Sequence, residues 1–376
     1  MRRNPEFSVL MIVTFLLLCF AIIMAYSASA PVGLKTMGDD HYHFKRMIAF
    51  VIVGLIAMAS TAVIRYETWT RHWYIFYASS IFALLLVSTP MGVQVGEARR
   101  SLDIGFTTIQ PSEFARLAAV FFLASFCARK AEHLKNFKKG LLPALGAVSV
   151  LAGLILAGHD LGIPFTIGVT ALLLLFIAGA NLRHLLALSG AAFAGLVLMI
   201  VLEPYRVQRM LAFIDPWKDP KRYGWQIIQS MAALGSGGIS GAGLGQGLQK
   251  NLYLPAPHTD FVFSIIGEET GLIGTLSINL LFAVLAVVGV RIALKARNRE
   301  ASFLSLGISF LISSTALINM AVAVDLLPTK GITLPFVSYG GSALLSNMIA
   351  MGILMNISRN SQEPAIMDPL LPQRYI

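Results

Sequence analysis

The sequence predicts an all-α, polytopic integral membrane protein with about ten transmembrane helices and one large extracytoplasmic loop between the seventh and eighth spans. Three observations carry that reading. Apolar residues fill 56% of the 376 positions and charged residues only 13%, and the mean hydropathy is +0.73, a balance no soluble globular domain needs. Apolar runs of roughly 20 residues, enough to cross about 30 Å of hydrocarbon, recur from end to end. Lys and Arg concentrate in the short loops between those runs, as membrane orientation requires. That placement also accounts for the net charge of +10 without nucleic acid as a partner.

The first span, 8–27, imitates a secretory signal: Arg2 and Arg3 precede it and Ala28-Ser29-Ala30 follows. The run is longer than a signal core, and Pro31 stands just after the apparent cut, so it reads as retained. The further spans are 47–64, 73–90, 111–128, 141–158, 161–180, 184–202, 261–290, 302–324 and 337–357. The segment 261–290 exceeds what the bilayer needs and is expected to tilt or to extend past the interface. A cytoplasmic N-terminus puts Arg65, Arg71, the cluster Arg129 to Lys139, Arg183 and the set Arg291 to Arg299 inside, so the positive-inside rule holds at every cytoplasmic loop. Residues 1–360 then form one membrane domain. Residues 361–376, with Pro364, Pro369 and Pro372, form a short cytoplasmic tail. Cys19 and Cys127 lie far apart inside apolar runs, with no metal-ligand spacing, and read as small buried hydrophobes.

This orientation gathers the segments rich in Gly, Pro and unusual polar residues on the outer face: 91–110, 158–160, 203–260 and 325–336. In the longest, Gly235 to Gly247 (GSGGISGAGLGQG) allows backbone to approach a ligand or pack closely, and with no preceding strand it is no dinucleotide fingerprint. Residues 204–226 mix Arg206, Arg209, Lys218, Lys221 and Arg222 with Trp217, Tyr223 and Trp225, the composition of a helix lying in the membrane interface. Gln110-Pro111-Ser112-Glu113 starts a helix, and Glu113 and Arg116 stand three apart on one face, able to pair. Arg99 and Arg100 are adjacent guanidiniums where no orientation rule asks for positive charge, which suits a phosphate or pyrophosphate. Asp160 sits in a turn so short that it must lie at the outer membrane boundary, where it either caps the next helix or serves function. Asp260, two residues past His258, sits where water ends and hydrocarbon begins, and an ionisable group there is expensive unless something uses it or pairs with it. Helix capping is the competing explanation for it.

The motifs GEARRSL, IQPSEFARLA, HDLG, YRVQRMLAFIDPWKDP, GSGGISGAGLGQG, LPAPHTDFVFSIIGEETGLIG and LPTKGITLPFVSYGGS together resemble the SEDS family of bacterial cell-wall polymerases, over nearly the whole chain. Leu327 to Gly331, followed by Thr333-Leu334-Pro335, resembles the division branch, FtsW, more than the elongation branch, RodA. The resemblance implies a peptidoglycan glycosyltransferase of the bacterial inner membrane, acting on lipid II at the division septum. It also implies a class B penicillin-binding transpeptidase and other divisome membrane proteins as partners, and a divalent cation, Mg or Mn, with no organic cofactor. It carries the essential aspartate onto Asp260 and the motif glutamate onto Glu113, whose usual lysine partner is Arg116 here. Two further departures stand out: Pro255-Ala256-Pro257-His258 lacks the family's usual acidic residue, and Gly247 replaces a usual serine. Asp260 is then expected to be the general base, with Arg99, Arg100 and Lys330 on the departing pyrophosphate. Glu113, Arg116, Asp160, His258 and Ser338 complete the candidate substrate-binding set. A lipid II flippase and a scaffold that recruits the transpeptidase are the competing functions. A transporter needs midplane ionisable groups reachable from both faces, whereas the candidates here gather at one face.

Overall fold

The structure is a computed structural model that describes residues 4–95, 98–105, 107–251, 253–329 and 331–361. The first half of the chain gives α1 (Pro5–Ser27), a short α2 (Ala30–Met37), α3 (Tyr42–Val63), a short α4 (Tyr66–Arg71) and α5 (Trp73–Val87). A small antiparallel sheet follows, with β1 (Gly92–Val95), β2 (Ala98–Asp103) and β3 (Thr108–Ile109) in that order. Then come α6 (Pro111–Lys130), α7 (Leu142–Ala157), α8 (Gly162–Ile177) and α9 (Leu182–Val201). The long outer segment carries α10 (Pro204–Ile214) and α11 (Trp225–Gly237), and the chain closes with α12 (Val262–Leu294), α13 (Arg299–Ala323) and α14 (Gly341–Asn360).

A helix stands at every expected span. Among the described residues eight helices are long and apolar enough to cross a membrane, α7 being counted with the π-helical turn Phe137–Leu141 that leads into it; α5 and α8, at 15 and 16 residues, are shorter. The all-α class holds, with the small sheet as an addition inside the loop 91–110. The last span begins at Gly341 rather than 337, because Val337 to Gly340 turn around the Ser338 side chain. Apart from Ser361, the expected tail over 361–376 lies outside the described residues.

Helices α6, α13 and α14 form the centre and are largely buried, although they are less apolar than the peripheral helices. Lipid is as apolar as a leucine side chain, so a lipid-facing helix must be greasy throughout, whereas a protein-facing one holds its neighbours by close packing and hydrogen bonds. Ser346 Oγ donates to the Glu113 carbonyl (2.8 Å), joining α14 to α6. On α14, a Cβ at Gly352 would overlap the Met58 carbonyl oxygen, so glycine lets α14 cross α3 backbone to backbone. At the end of the bundle that carries the start of α1, Lys295 pairs with Glu6 (2.7 Å) and Arg129 with Glu300 (3.0 Å). Helix α9 lies at the periphery, with Leu185 its one buried residue.

The glycine-rich segment resolves as backbone packing. Helix α12 is broken at Gly271, whose φ of 66° and ψ of −158° belong to glycine. The break would strand backbone groups inside the bundle, and the segment 238–243 satisfies them. Leu272 N donates to the Gly238 carbonyl (2.9 Å), Ile273 N to Ile239 (3.2 Å), and Ala242 N and Gly243 N to Glu268 and Glu269 (2.9 and 3.0 Å). The two buried glutamates then hold the rest of the loop. Glu268 accepts from Leu248 N (2.7 Å) and Gln249 N (3.1 Å), and Glu269 pairs with Lys250 (2.6 Å) and accepts from Ser27 Oγ (2.6 Å) at the end of α1. The chain from 251 is thereby delivered to the first turn of α12, with Asp260 just before it.

Candidate active site

Asp260 stands one residue before the N-cap of α12, which is Phe261, and no side chain caps that helix. The capping role weighed from the sequence is therefore not the one its carboxylate has. Its backbone is fixed from below: Asn319 on α13 donates to the Asp260 carbonyl (2.8 Å) and to the Ile332 carbonyl (2.7 Å) through one amide nitrogen. That amide binds the approach to α12 and the segment 331–333 into one unit. A methyl group added at Gly331 would lie 3.5 Å from both Asp260 Oδ2 and Arg100 Nη1, so carboxylate and guanidinium are no farther apart than twice that distance.

Arg100 reaches this position from β2. Its Nη2 donates to the His159 carbonyl (2.7 Å), which faces it because His159 adopts a left-handed conformation (φ 61°) rare for a non-glycine residue. The Arg100 Nε is buried and has no hydrogen-bond partner among the described residues. Beside it, Asp160 is buried: its Oδ1 accepts from Gly162 N (2.9 Å) and Ile163 N (3.3 Å), capping α8, while its Oδ2 has no hydrogen-bond partner among the described residues. The capping reading of Asp160 is the one these bonds show. Burial pushes its pKa up, against the pull of Arg100.

Burial likewise raises Asp260, to about 6. Arg100 and then Arg209 pull it down, and Asp160 pushes it further up. A carboxylate so placed is mostly ionised at neutral pH and close enough to its pKa to take a proton. Arg209 belongs to α10: its Nη1 donates to the Thr329 carbonyl (3.4 Å), and its guanidinium lies 4.8 Å from the centre of the Tyr205 ring.

The chain matches the FtsW/RodA/SpoVE cell cycle protein family over residues 7–363. It belongs to that family. Stage V sporulation protein E of Bacillus subtilis (strain 168) is 41% identical over 362 residues, covering 96% of this chain and 99% of that protein. The probable peptidoglycan glycosyltransferase FtsW of Geobacter sulfurreducens is 40% identical over 351 residues, covering 93% and 94%. Among solved structures, a chain from a peptidoglycan synthase complex that coordinates polymerization and crosslinking matches with a TM-score of 0.71 at 27% identity, covering 91% of this chain and 97% of that one. The rod shape determining protein RodA of Thermus thermophilus shares the fold, with a TM-score of 0.67 at 22% identity over 94% of this chain and 97% of that one.

Several positions expected from the sequence sit differently in this family member. Arg99 and Arg100 part company, because successive strand residues face opposite ways. Arg99 is exposed and held by Gln94 Oε1 (3.2 and 3.1 Å), so of the pair only Arg100 stands beside Asp260. Glu113 and Arg116 are buried against each other (2.7 Å), with Arg116 Nη2 donating to Asn347 Oδ1 (3.1 Å) on α14. Together with Gln110, Gly331, Ile332 and Thr333 they line a cavity of about 30 Å³, large enough for ordered water. As placed, they are a buried pair that neutralise each other. The Ser338 hydroxyl donates to the Thr259 carbonyl (2.5 Å) and accepts from Leu334 N (2.8 Å), which makes it a brace for the loop and leaves it no proton for a ligand. His258 packs against His43 (5.1 Å between ring centres) and Tyr339 (5.7 Å). Burial, then His43, push its pKa down to about 4, so it is neutral and cannot serve as a cation for phosphate. Lys330 lies outside the described residues.

A divalent cation finds no protein cage at Asp260. Among the described residues, the one group offering three ligand atoms within 4.8 Å of one another is Asp39, Asp40 and His41, in the outer turn before α3. Asp260 and Asp160 share their surroundings with Arg100, and the further carboxylate near enough to act on Asp160, Glu113, is taken up by Arg116.

Proposed function

We propose that this chain is a peptidoglycan glycosyltransferase that polymerises lipid II into glycan strands for septal wall synthesis, with a class B penicillin-binding transpeptidase as its partner. Relatives at about 40% identity over nearly the whole chain bear the glycosyltransferase name, and the neighbouring solved structure comes from a complex that couples polymerization to crosslinking. The observation that carries the reading is a carboxylate with a pKa of about 6, at the outer end of the bundle, with arginine charges acting on it.

Transfer needs a proton acceptor and a stabiliser for the leaving group. As the acceptor sugar's 4-hydroxyl attacks the donor's anomeric carbon, its proton passes to an Asp260 oxygen. The new glycosidic bond forms with inversion, and the electron pair of the breaking C1–O bond goes to the polyprenyl pyrophosphate. Arg100 stands where that negative charge grows. Positioned base assistance of this kind contributes about 10²–10⁴-fold.

The purified protein, alone and with its transpeptidase, is to be incubated with lipid II and the products separated on a gel. Glycan strands are the expected result. Movement of lipid II across liposomes with no strands formed would favour the flippase instead. What supports transfer over transport is that Asp260, Asp160 and Arg100 gather at one end of the bundle, while Glu113 and Arg116 are buried as an ion pair.

A further inference from the structure

By composition, α10 is a helix of the membrane interface, and its arginines look alike in the sequence. The structure separates them. Arg206 Nη1 donates to the Met199 carbonyl (3.1 Å) at the end of α9, which ties helix to helix. Arg209 reaches in the other direction, to the carbonyl of buried Thr329, two residues before the Gly331 that sits against both Arg100 and Asp260. Among the described residues it makes no ion pair, and its contact with Thr329 uses one of five N–H donors. The guanidinium carbon lies 4.8 Å from the centre of the Tyr205 ring, a cation–π contact that holds the group in place without using its N–H donors. On the other arm, Arg100 Nε is buried and has no partner among the described residues. Two guanidiniums with unused donors, brought from separate elements to one carboxylate base, fit a doubly or triply charged phosphate group better than they fit each other.

We infer that Arg209 and Arg100 form a two-armed clamp for the lipid pyrophosphate, with Arg209 in the place that sequence adjacency assigned to Arg99. The inference rests on reading the site as one for transfer from a polyprenyl pyrophosphate. In that reaction the C1–O bond breaks with its electrons passing to the pyrophosphate oxygen, and the clamp meets the added charge while Asp260 takes the acceptor's proton.

The test uses the full chain in nanodiscs, with polyprenyl pyrophosphate and polyprenyl monophosphate as probes. Arg209→Gln is expected to weaken binding of the pyrophosphate lipid about tenfold or more and the monophosphate lipid much less, because a bidentate fork suits the larger anion. It is also expected to move the acid limb of the polymerisation rate to higher pH, since Arg209 helps keep Asp260 ionised. A purely structural role would move neither. Arg206→Gln, on the same helix, is expected to change neither. Should Arg209→Gln fail to fold, Arg209→Lys keeps the charge and loses the fork: weaker pyrophosphate binding with the pH limb in place supports the clamp, and wild-type binding overturns it. Equal binding of both lipids by wild type and Arg209→Gln, with an unmoved pH limb, also overturns it. If the wild type makes no glycan strands yet Arg209→Gln still weakens pyrophosphate binding, the clamp stands and the transferase reading falls.

Discussion

At the scale of single residues, environment rather than residue type assigns the roles. Asp260 and Asp160 are both carboxylates at the outer boundary, but Asp160 commits one oxygen to capping α8, and Asp260 makes no such cap. With a pKa of about 6, Asp260 holds its proton in acid and cannot accept another. The polymerisation rate is therefore expected to fall about tenfold per unit below about pH 5 and to level off above about pH 7. Arg100→Gln removes the largest charge holding that pKa down, so the limb moves to higher pH; a pH–rate profile whose limb stays in place contradicts the pairing. Arg116 invites a different experiment. Arg116→Met leaves Glu113 as an uncompensated buried charge, a loss of about 3–5 kcal/mol in thermal unfolding, and adding Glu113→Leu is expected to restore much of it. Asp260 and Asp160 stood out in the sequence because polar groups at a membrane edge are expensive, and the pair Arg99-Arg100 because nothing about orientation asks for positive charge there. Arg99 could not be told from Arg100 until the strand set them on opposite faces, and Arg209 could not be told from its basic neighbours on α10.

At the scale of elements, the site depends on a helix that stops and restarts. The break at Gly271 is satisfied by 238–243, and the Lys250–Glu269 pair with Ser27 secures the loop that follows. Gly271→Ala puts a Cβ into the Gly241 and Ile239 backbone at a φ of 66°, so it is expected to lower thermal stability sharply and to reduce strand synthesis with it. Asn319→Leu leaves the Asp260 and Ile332 carbonyls without their donor, each worth about 1–3 kcal/mol. Because that donor positions the base rather than the substrate, kcat is expected to fall more than KM. Hydropathy revealed the long helices, since lipid imposes a continuous apolar run. It did not reveal the Lys250–Glu269 pair or its link to Ser27, which depends on a backbone break that juxtaposes residues 242 positions apart. The three short strands of the outer sheet were also hidden, being too short for an alternating pattern to stand out from a loop.

At the scale of the whole molecule, one end of the bundle collects the chemistry. The turn at His159, the approach to α12, the segment 331–336 and α10 all converge there, and His159, Ala256 and Phe336 carry left-handed backbone in these segments. The opposite end carries the basic loops. In a background lacking Cys19 and Cys127, a membrane-impermeant maleimide is expected to label Lys221→Cys in intact cells and to spare Arg297→Cys, both positions being exposed in the structure. The reverse pattern would invert the topology. The central claim is that the Asp260 carboxylate accepts the proton in strand synthesis, and it is tested most directly by comparing wild type and Asp260→Asn on purified lipid II while measuring lipid II binding in parallel. The account expects a loss of polymerisation of about 10²-fold or more with binding kept within a few-fold; strands formed by Asp260→Asn at close to the wild-type rate would contradict it.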